Sequence, residues 1–315
     1  MPGLLLWGLV FVVTLAGLIF SANIFIKAAE RVGLALGIPA FIIGITLVAM
    51  GTSLPELVTS IVAVLAGAEA SAIVPGNVIG SNITNMGLIL GILGVVGKKI
   101  DMQFEVGKVD LPMFLGSALL LWLCLMDGDL SLVDGLLCLG GLGVYLAYVF
   151  ALGKENNTST GSAGETPAPR MRWSDPLLLL LSAIAIYFTA EYNVRAVTEL
   201  ATLLHVGTDL IALTVVALGT SLPELVVSIL ALRSGKSDMA IGNLLGSNIF
   251  NIFAVIGIPR LFGEIVVPAS IMSNGLPSML AITLLGVLIF LDRHLNRWEG
   301  WLLLLLYAIF LINLG

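Results

Sequence analysis

The sequence predicts an all-α integral membrane protein of ten transmembrane helices, built as two inverted-topology repeats of five helices each. Three observations carry this. Of the 315 residues, 58% are hydrophobic and only 11% charged, with a mean hydropathy of +1.09, a composition outside the range of soluble domains. The string GTSLPEL occurs at 51–57 and again at 219–225, each time inside an apolar stretch long enough to span a bilayer. When ten spans are drawn, 12 of the 14 basic residues fall on one side of the membrane.

The first span, near 3–26, has no basic residue before Lys27, so it lacks the charged start of a cleaved signal peptide and is read as a retained helix. The second, near 39–66, carries the first GTSLPEL, and the third, near 73–96, holds GNVIGSNITN at 76–85. The fourth, near 111–126, is short; the fifth runs near 131–152. They contain Cys124 and Cys138, which have no metal or redox spacing and read as small buried hydrophobes. KENNTSTGSAGETPAPR (154–170) has no apolar periodicity and reads as a flexible linker. The sixth span lies near 175–194, and the seventh, near 208–232, carries the second GTSLPEL. The eighth, near 239–259, holds GNLLGSNIFN at 242–251, and the ninth and tenth, near 267–291 and 298–314, end the sequence. Residues 1–152 thus form the first repeat, 153–173 the linker and 174–315 the second repeat.

Lys and Arg mark cytoplasmic loops. With the N-terminus outside, the inside loops hold Lys27, Arg31, Lys98, Lys99, Lys108, Lys154, Arg170, Arg172, Arg233, Lys236, Arg293 and Arg297, leaving Arg195 and Arg260 outside. Both termini are then extracytoplasmic and the linker cytoplasmic. At an offset of 168, Thr46 falls on Thr214, Glu56 on Glu224 and Ser60 on Ser228; at 166, GNVIGSNITN falls on GNLLGSNIFN. An odd number of spans per copy makes the second copy enter the membrane from the opposite side, which is the plan of many secondary transporters, with the site at the midplane between halves.

Glu56 and Glu224 lie at a depth where a charge is costly and therefore usually functional, and no Lys or Arg lies within the spans to neutralise them. Their partner must be a proton or a transported cation. Pro55 removes one backbone donor and frees the carbonyl of Gly51, loosening the turn at Thr52, and Pro223 does the same to Gly219 and Thr220. Such backbone is tolerated in a membrane only where protein or a polar cavity receives it. Helical spacing sets Thr52 and Ser53 on the face of Glu56, and Thr220 and Ser221 on that of Glu224. Asn77, Ser81 and Asn85 form a stripe on the following span, matched by Asn243, Ser247 and Asn251, while Gly76 and Gly80, like Gly242 and Gly246, allow a close approach to the motif-bearing span. Oxygen donors without His or Cys suit Ca2+ or Na+ and argue against zinc or copper. Two ionised glutamates with one Ca2+ sum to zero, and with three Na+ to +1.

GTSLPE followed about 20 residues later by GN-x-x-GSN, in both halves, resembles the α-repeats of the cation/Ca2+ exchanger superfamily, specifically its Na+/Ca2+ exchanger-like prokaryotic branch. The resemblance covers nearly the whole chain and places the α-repeat motifs at 44–91 and 212–257. It implies alternating access and exchange of about three Na+ for one Ca2+. It also implies a Ca2+ site between the carboxylates of Glu56 and Glu224 and the carbonyls of Thr52 and Thr220. Flanking Na+ sites would use the Ala49 carbonyl with Ser53 and Ser81, and the Ala217 carbonyl with Ser221 and Ser247, with Asn85 and Asn251 facing the middle. Some relatives, K+-dependent exchangers among them, carry Asp at the position of Asn251, so no K+ requirement is expected here. The expected partners are Ca2+, Na+ and the lipid bilayer of a prokaryotic plasma membrane. No cofactor, catalytic activity, nucleic acid or obligatory protein partner is called for. A Ca2+/H+ antiporter using the same glutamates and a passive cation channel stay open as alternatives, although a channel has no need of an inverted repeat with broken helices.

Overall fold

A computed structural model of the protein describes residues 2–36, 38–102, 110–159, 172–203, 219 and 221–314. In chain order these form α1 (Pro2–Ala35), α2 (Ala40–Thr52), α3 (Leu54–Leu65), α4 (Ala68–Gly97), strand β1 (Lys99–Asp101), α5 (Asp110–Leu125), α6 (Leu132–Ser159) and α7 (Ser174–Leu203). Then follow α8 (Leu222–Arg233), α9 (Ser237–Arg260), α10 (Ile271–Leu291), strand β2 (His294–Asn296) and α11 (Arg297–Leu314). Among the described residues six helices are long and apolar enough to cross a membrane, or seven if the bent pair α2 and α3 is one span. The molecule is thus a mostly helical membrane protein.

Several helices outrun their apolar segments. α1 continues to Ala35 and α7 to Leu203; polar groups near the end of α1 find partners, Arg31 with Asp175 at 3.2 Å and Glu30 with Lys236, and toward the end of α7 Asn193 donates to the Phe11 carbonyl at 3.1 Å and Arg195 lies over the Trp7 ring. α6 runs to Ser159, so the first residues of the 154–170 linker are helical; residues 160–171, like most of the apolar segment 208–220, lie outside the described residues.

Burial sorts the helices into a core and a periphery. α4 and α9 are mostly buried, whereas α1 and α7 pack along one another and present outward side chains such as Leu5, Leu9 and Phe20. The tightest contact is where α9 crosses α2. An added Cβ on Gly242 would lie 2.5 Å from the Phe41 carbonyl oxygen, on Gly246 2.2 Å from that of Ile45, and on Gly44 2.4 Å from that of Met239. Without a hydrophobic drive between helices in lipid, such small-residue contacts are what hold them together. The sequence led us to expect Gly76, Gly80, Gly242 and Gly246 to allow a close approach to a motif-bearing helix; Gly242 and Gly246 do so across the repeats, from α9 to α2, whereas among the described residues Gly76 and Gly80 meet no motif-bearing helix within 4 Å.

Two antiparallel contacts tie the loops. Lys99 pairs with Asn296 in the β1–β2 ribbon, and Leu130 bridges Ile265. At the offset of 166, Lys99 falls on Ile265 and Leu130 on Asn296, so the two contacts exchange with one another. Arg260 braces the second, its Nε donating to the Leu130 carbonyl at 2.6 Å and its Nη1 to that of Gly263 at 3.0 Å. Cys124 and Cys138 are buried and free, as expected.

Candidate cation-binding site

Both proline motifs start a helix just after the serine before Leu-Pro-Glu, and in the first half this interrupts a helix. Ser53 sits at φ −91°, ψ 4° and Ser221 at φ −88°, ψ 7°, each outside helical geometry, and α2 and α3 meet at about 40°. Pro55 and Pro223 then occupy the opening turns of α3 and α8, where a missing N–H costs least. Glu56 and Glu224 fall in those same first turns, at the positive ends of two helix dipoles.

Ser-x-x-Glu at a helix start is a capping-box sequence. Neither serine caps its helix through its side chain. Instead, the Ser53 hydroxyl crosses between the halves and donates to Glu224 Oε1 at 3.1 Å. Residues that could have satisfied their own backbone are turned toward a shared centre. Glu56, Glu224, Ser53 and Ser221 are all buried.

A second tier surrounds them. The Thr52 hydroxyl donates to Asn243 Oδ1 at 3.2 Å, lies 3.4 Å from the Ser247 hydroxyl and also reaches the Ala49 carbonyl at 3.2 Å. That carbonyl, expected to be free for Na+, also accepts the Ser53 N–H at 3.0 Å, so an ion reaching it must displace the Thr52 hydroxyl. Asn77 donates to Ser60 Oγ at 3.4 Å and Asn243 to Ser228 Oγ at 2.9 Å. These matched bonds, made through the amide nitrogens, tie α3 to α4 and α8 to α9, while Oδ1 of Asn243 faces Thr52. Ser81, Ser247, Asn85 and Asn251 are buried around the same centre. Thr220 and Ala217 lie outside the described residues.

Asn85 and Asn251 each lie in a π-helical turn, Thr84–Ile89 and Asn251–Ile256, the widened geometry that often marks functional positions in helices. The turn bearing Asn85 packs on α8, which carries Glu224, and the turn bearing Asn251 packs on α3, which carries Glu56. Each half therefore completes the surroundings of the other half's glutamate.

Several buried oxygens in this centre have no hydrogen-bond partner among the described residues: both of Glu56, Oε2 of Glu224, the hydroxyl of Ser221, and Oδ1 of Asn85 and of Asn251. Leaving a buried polar atom unpaired costs about 1–3 kcal/mol, more for a charge, so a cation stabilises this set. Among the described residues no cluster of three or more His, Cys, Asp or Glu occurs. Two carboxylates among neutral oxygens are a donor set for a hard, partly dehydrated cation. Sequence reasoning gave no role to Ser60, Ser228, Asn82 or Asn248. Ser60 and Ser228 were visible as matched positions of the repeat; Asn82 and Asn248 lie one residue off the stripe and gave no signal.

Comparison with known proteins agrees with this chemistry. The family model described as sodium/calcium exchanger protein matches residues 6–151 and 174–314. Sodium/calcium exchanger MaX1 of Methanosarcina acetivorans is 35% identical, over 96% of this chain and 98% of that protein. Inner membrane protein YrbG of Escherichia coli is 34% identical over 81% of this chain and 80% of its own length. Among solved structures, the sodium-calcium exchanger NCX_Mj soaked with Na+ and Ca2+ superposes with a TM-score of 0.80 at 30% identity, covering 98% of this chain and 99% of that one.

Proposed function

The chain belongs to the sodium/calcium exchanger protein family, and from that premise we propose that it is a secondary antiporter exchanging Na+ for Ca2+ by alternating access. The observation that carries this is the pair of buried glutamates from opposite halves, with three of their four oxygens unpartnered and no cationic side chain bonded to either among the described residues. Ca2+ is bound between Glu56 and Glu224 with help from the carbonyls of Thr52 and Thr220. Na+ occupies the flanking oxygens of Ser53, Ser81, Ser221 and Ser247, with Asn85 and Asn251 completing the cluster. The ten-span inverted repeat is supported by the exchanging contacts Lys99–Asn296 and Leu130–Ile265 and by the matched helix starts at Ser53 and Ser221. Residues 1–152 and 174–315 are the two repeats, joined on the cytoplasmic side of a prokaryotic plasma membrane.

Topology has a direct test. With Cys124 and Cys138 replaced by Ala, Thr160→Cys is expected to react with an impermeant thiol reagent only from the cytoplasmic side and Ala68→Cys only from outside. Labelling of both from one side overturns the arrangement.

Exchange is electrogenic and independent of K+. Two ionised glutamates are neutralised by one Ca2+ and overcompensated by three Na+, so one charge moves per cycle, worth roughly 2.3 kcal/mol per 100 mV. In proteoliposomes an outward Na+ gradient should drive 45Ca2+ uptake without K+, with a reversal potential that follows Na+ and voltage. A flux that needs K+, or whose reversal follows the proton gradient, removes this reading in favour of a K+-dependent or Ca2+/H+ exchanger.

A further inference from the structure

Asn248 belongs to none of the ion sites, yet it is fully buried beside them and its side-chain oxygen accepts the Asn85 amide hydrogen at 3.0 Å. A carboxamide has two nearly isosteric ends: the oxygen attracts a cation and the NH2 repels it. Which end it offers is decided by its hydrogen bonds. In this bond Asn248 accepts the Asn85 N–H, which leaves Asn85 Oδ1, like Nδ2 of Asn248 itself, buried and unpartnered. The Asn248 backbone carbonyl in turn accepts the Asn82 amide at 3.4 Å.

The repeat predicts a twin of this bond, from Asn251 to the Asn82 oxygen. That bond is absent: Asn82 Oδ1 and both amide atoms of Asn251 have no partner. One central asparagine is pinned and its counterpart is not, although the two positions correspond in sequence.

We propose that Asn248 is a positioning residue for cation selection, holding Asn85 as a fixed oxygen ligand while Asn251 stays free to turn its amide as the ion cluster fills. This deepens the exchange function proposed above and rests on it. Asn248 touches no ion; its effect passes through the Asn85 amide.

The test is a double-mutant cycle read by equilibrium 45Ca2+ binding to the solubilised full-length protein, with Na+ as competitor. Asn248→Ala should weaken Ca2+ binding roughly tenfold, the scale of one lost oriented hydrogen bond. In Asn85→Asp both side-chain ends are oxygens and the flip carries no information, so adding Asn248→Ala there should change the Kd by no more than about twofold, the residual coupling expected once the shared contact is gone. Asn248→Asp keeps the accepting oxygen and should retain wild-type affinity or better, which serves if the alanine variant folds poorly. Equal loss in both backgrounds, or an unchanged Kd in Asn248→Ala, overturns the proposal. A wild-type protein whose bound Ca2+ is not displaced by Na+ overturns the exchange function instead, so the two failures are distinguishable.

Discussion

Glu56→Gln and Glu224→Gln should each abolish Na+-dependent 45Ca2+ exchange and leave a folded, monodisperse protein. Glutamine keeps the volume of glutamate, and at position 224 its amide oxygen can still accept the Ser53 hydroxyl, which now reaches Glu224 Oε1 at 3.1 Å. Packing is therefore preserved. What disappears is a full negative charge in the proposed site of a divalent ion that has shed much of its water, and among the described residues no other carboxylate is clustered near enough to replace it.

The same substitutions have an opposite effect on the empty protein. Removing a buried, poorly partnered charge is neutral or stabilising, so in ion-free buffer the variants should melt at or above the wild-type temperature. Added Ca2+ should raise the wild-type Tm by linkage and leave both variants unmoved. Near-normal exchange, or a retained Ca2+-dependent rise in Tm, by either variant would remove the glutamate pair from the binding site.

The extent to which this site can be read from sequence differs residue by residue, for physical reasons. The glutamates and proline breaks were legible because a bilayer makes charge and irregular backbone expensive, so a chain that repeats both at 51–57 and 219–225 must recover that cost through ion binding. For Asn77 and Asn243 the four-residue spacing showed only their alignment with Ser81 and Ser247, a property of one helix, and not their bonds to Ser60 and Ser228, which depend on the neighbouring helix. Asn82 and Asn248 were missed for the converse reason, since one residue off the stripe turns a side chain about 100° around the helix, toward a partner that no local pattern reveals. The polar ends of α1 and α7 followed the same logic, since their partners lie on distant segments: Arg31–Asp175 and Glu30–Lys236 for α1, Asn193–Phe11 and Arg195–Trp7 for α7.

The crossing of α2 and α9 gives the second large expectation, Gly246→Ala. Its new methyl would sit 2.2 Å from the Ile45 carbonyl oxygen and 2.7 Å from that residue's Cα. These are backbone atoms, so no side chain can swing aside and the helices must part. Overpacking of this kind costs about 1–3 kcal/mol, and here the damage extends into the site. Thr52 on α2 meets Asn243 and Ser247 on α9 at 3.2 and 3.4 Å, near the limit of a hydrogen bond, so a separation of even about 0.5 Å breaks both. Gly246→Ala should therefore lower the Tm in detergent and weaken Ca2+ binding together. Gly140→Ala is the matched control: its Cβ meets nothing within 4 Å among the described residues, and alanine is the better helix former by up to about 1 kcal/mol, so stability should hold or rise with Ca2+ affinity unchanged. If Gly246→Ala behaves like Gly140→Ala in both measurements, the close crossing does not set the geometry of the ion site, and the cross-repeat contacts of Thr52 lose their structural basis.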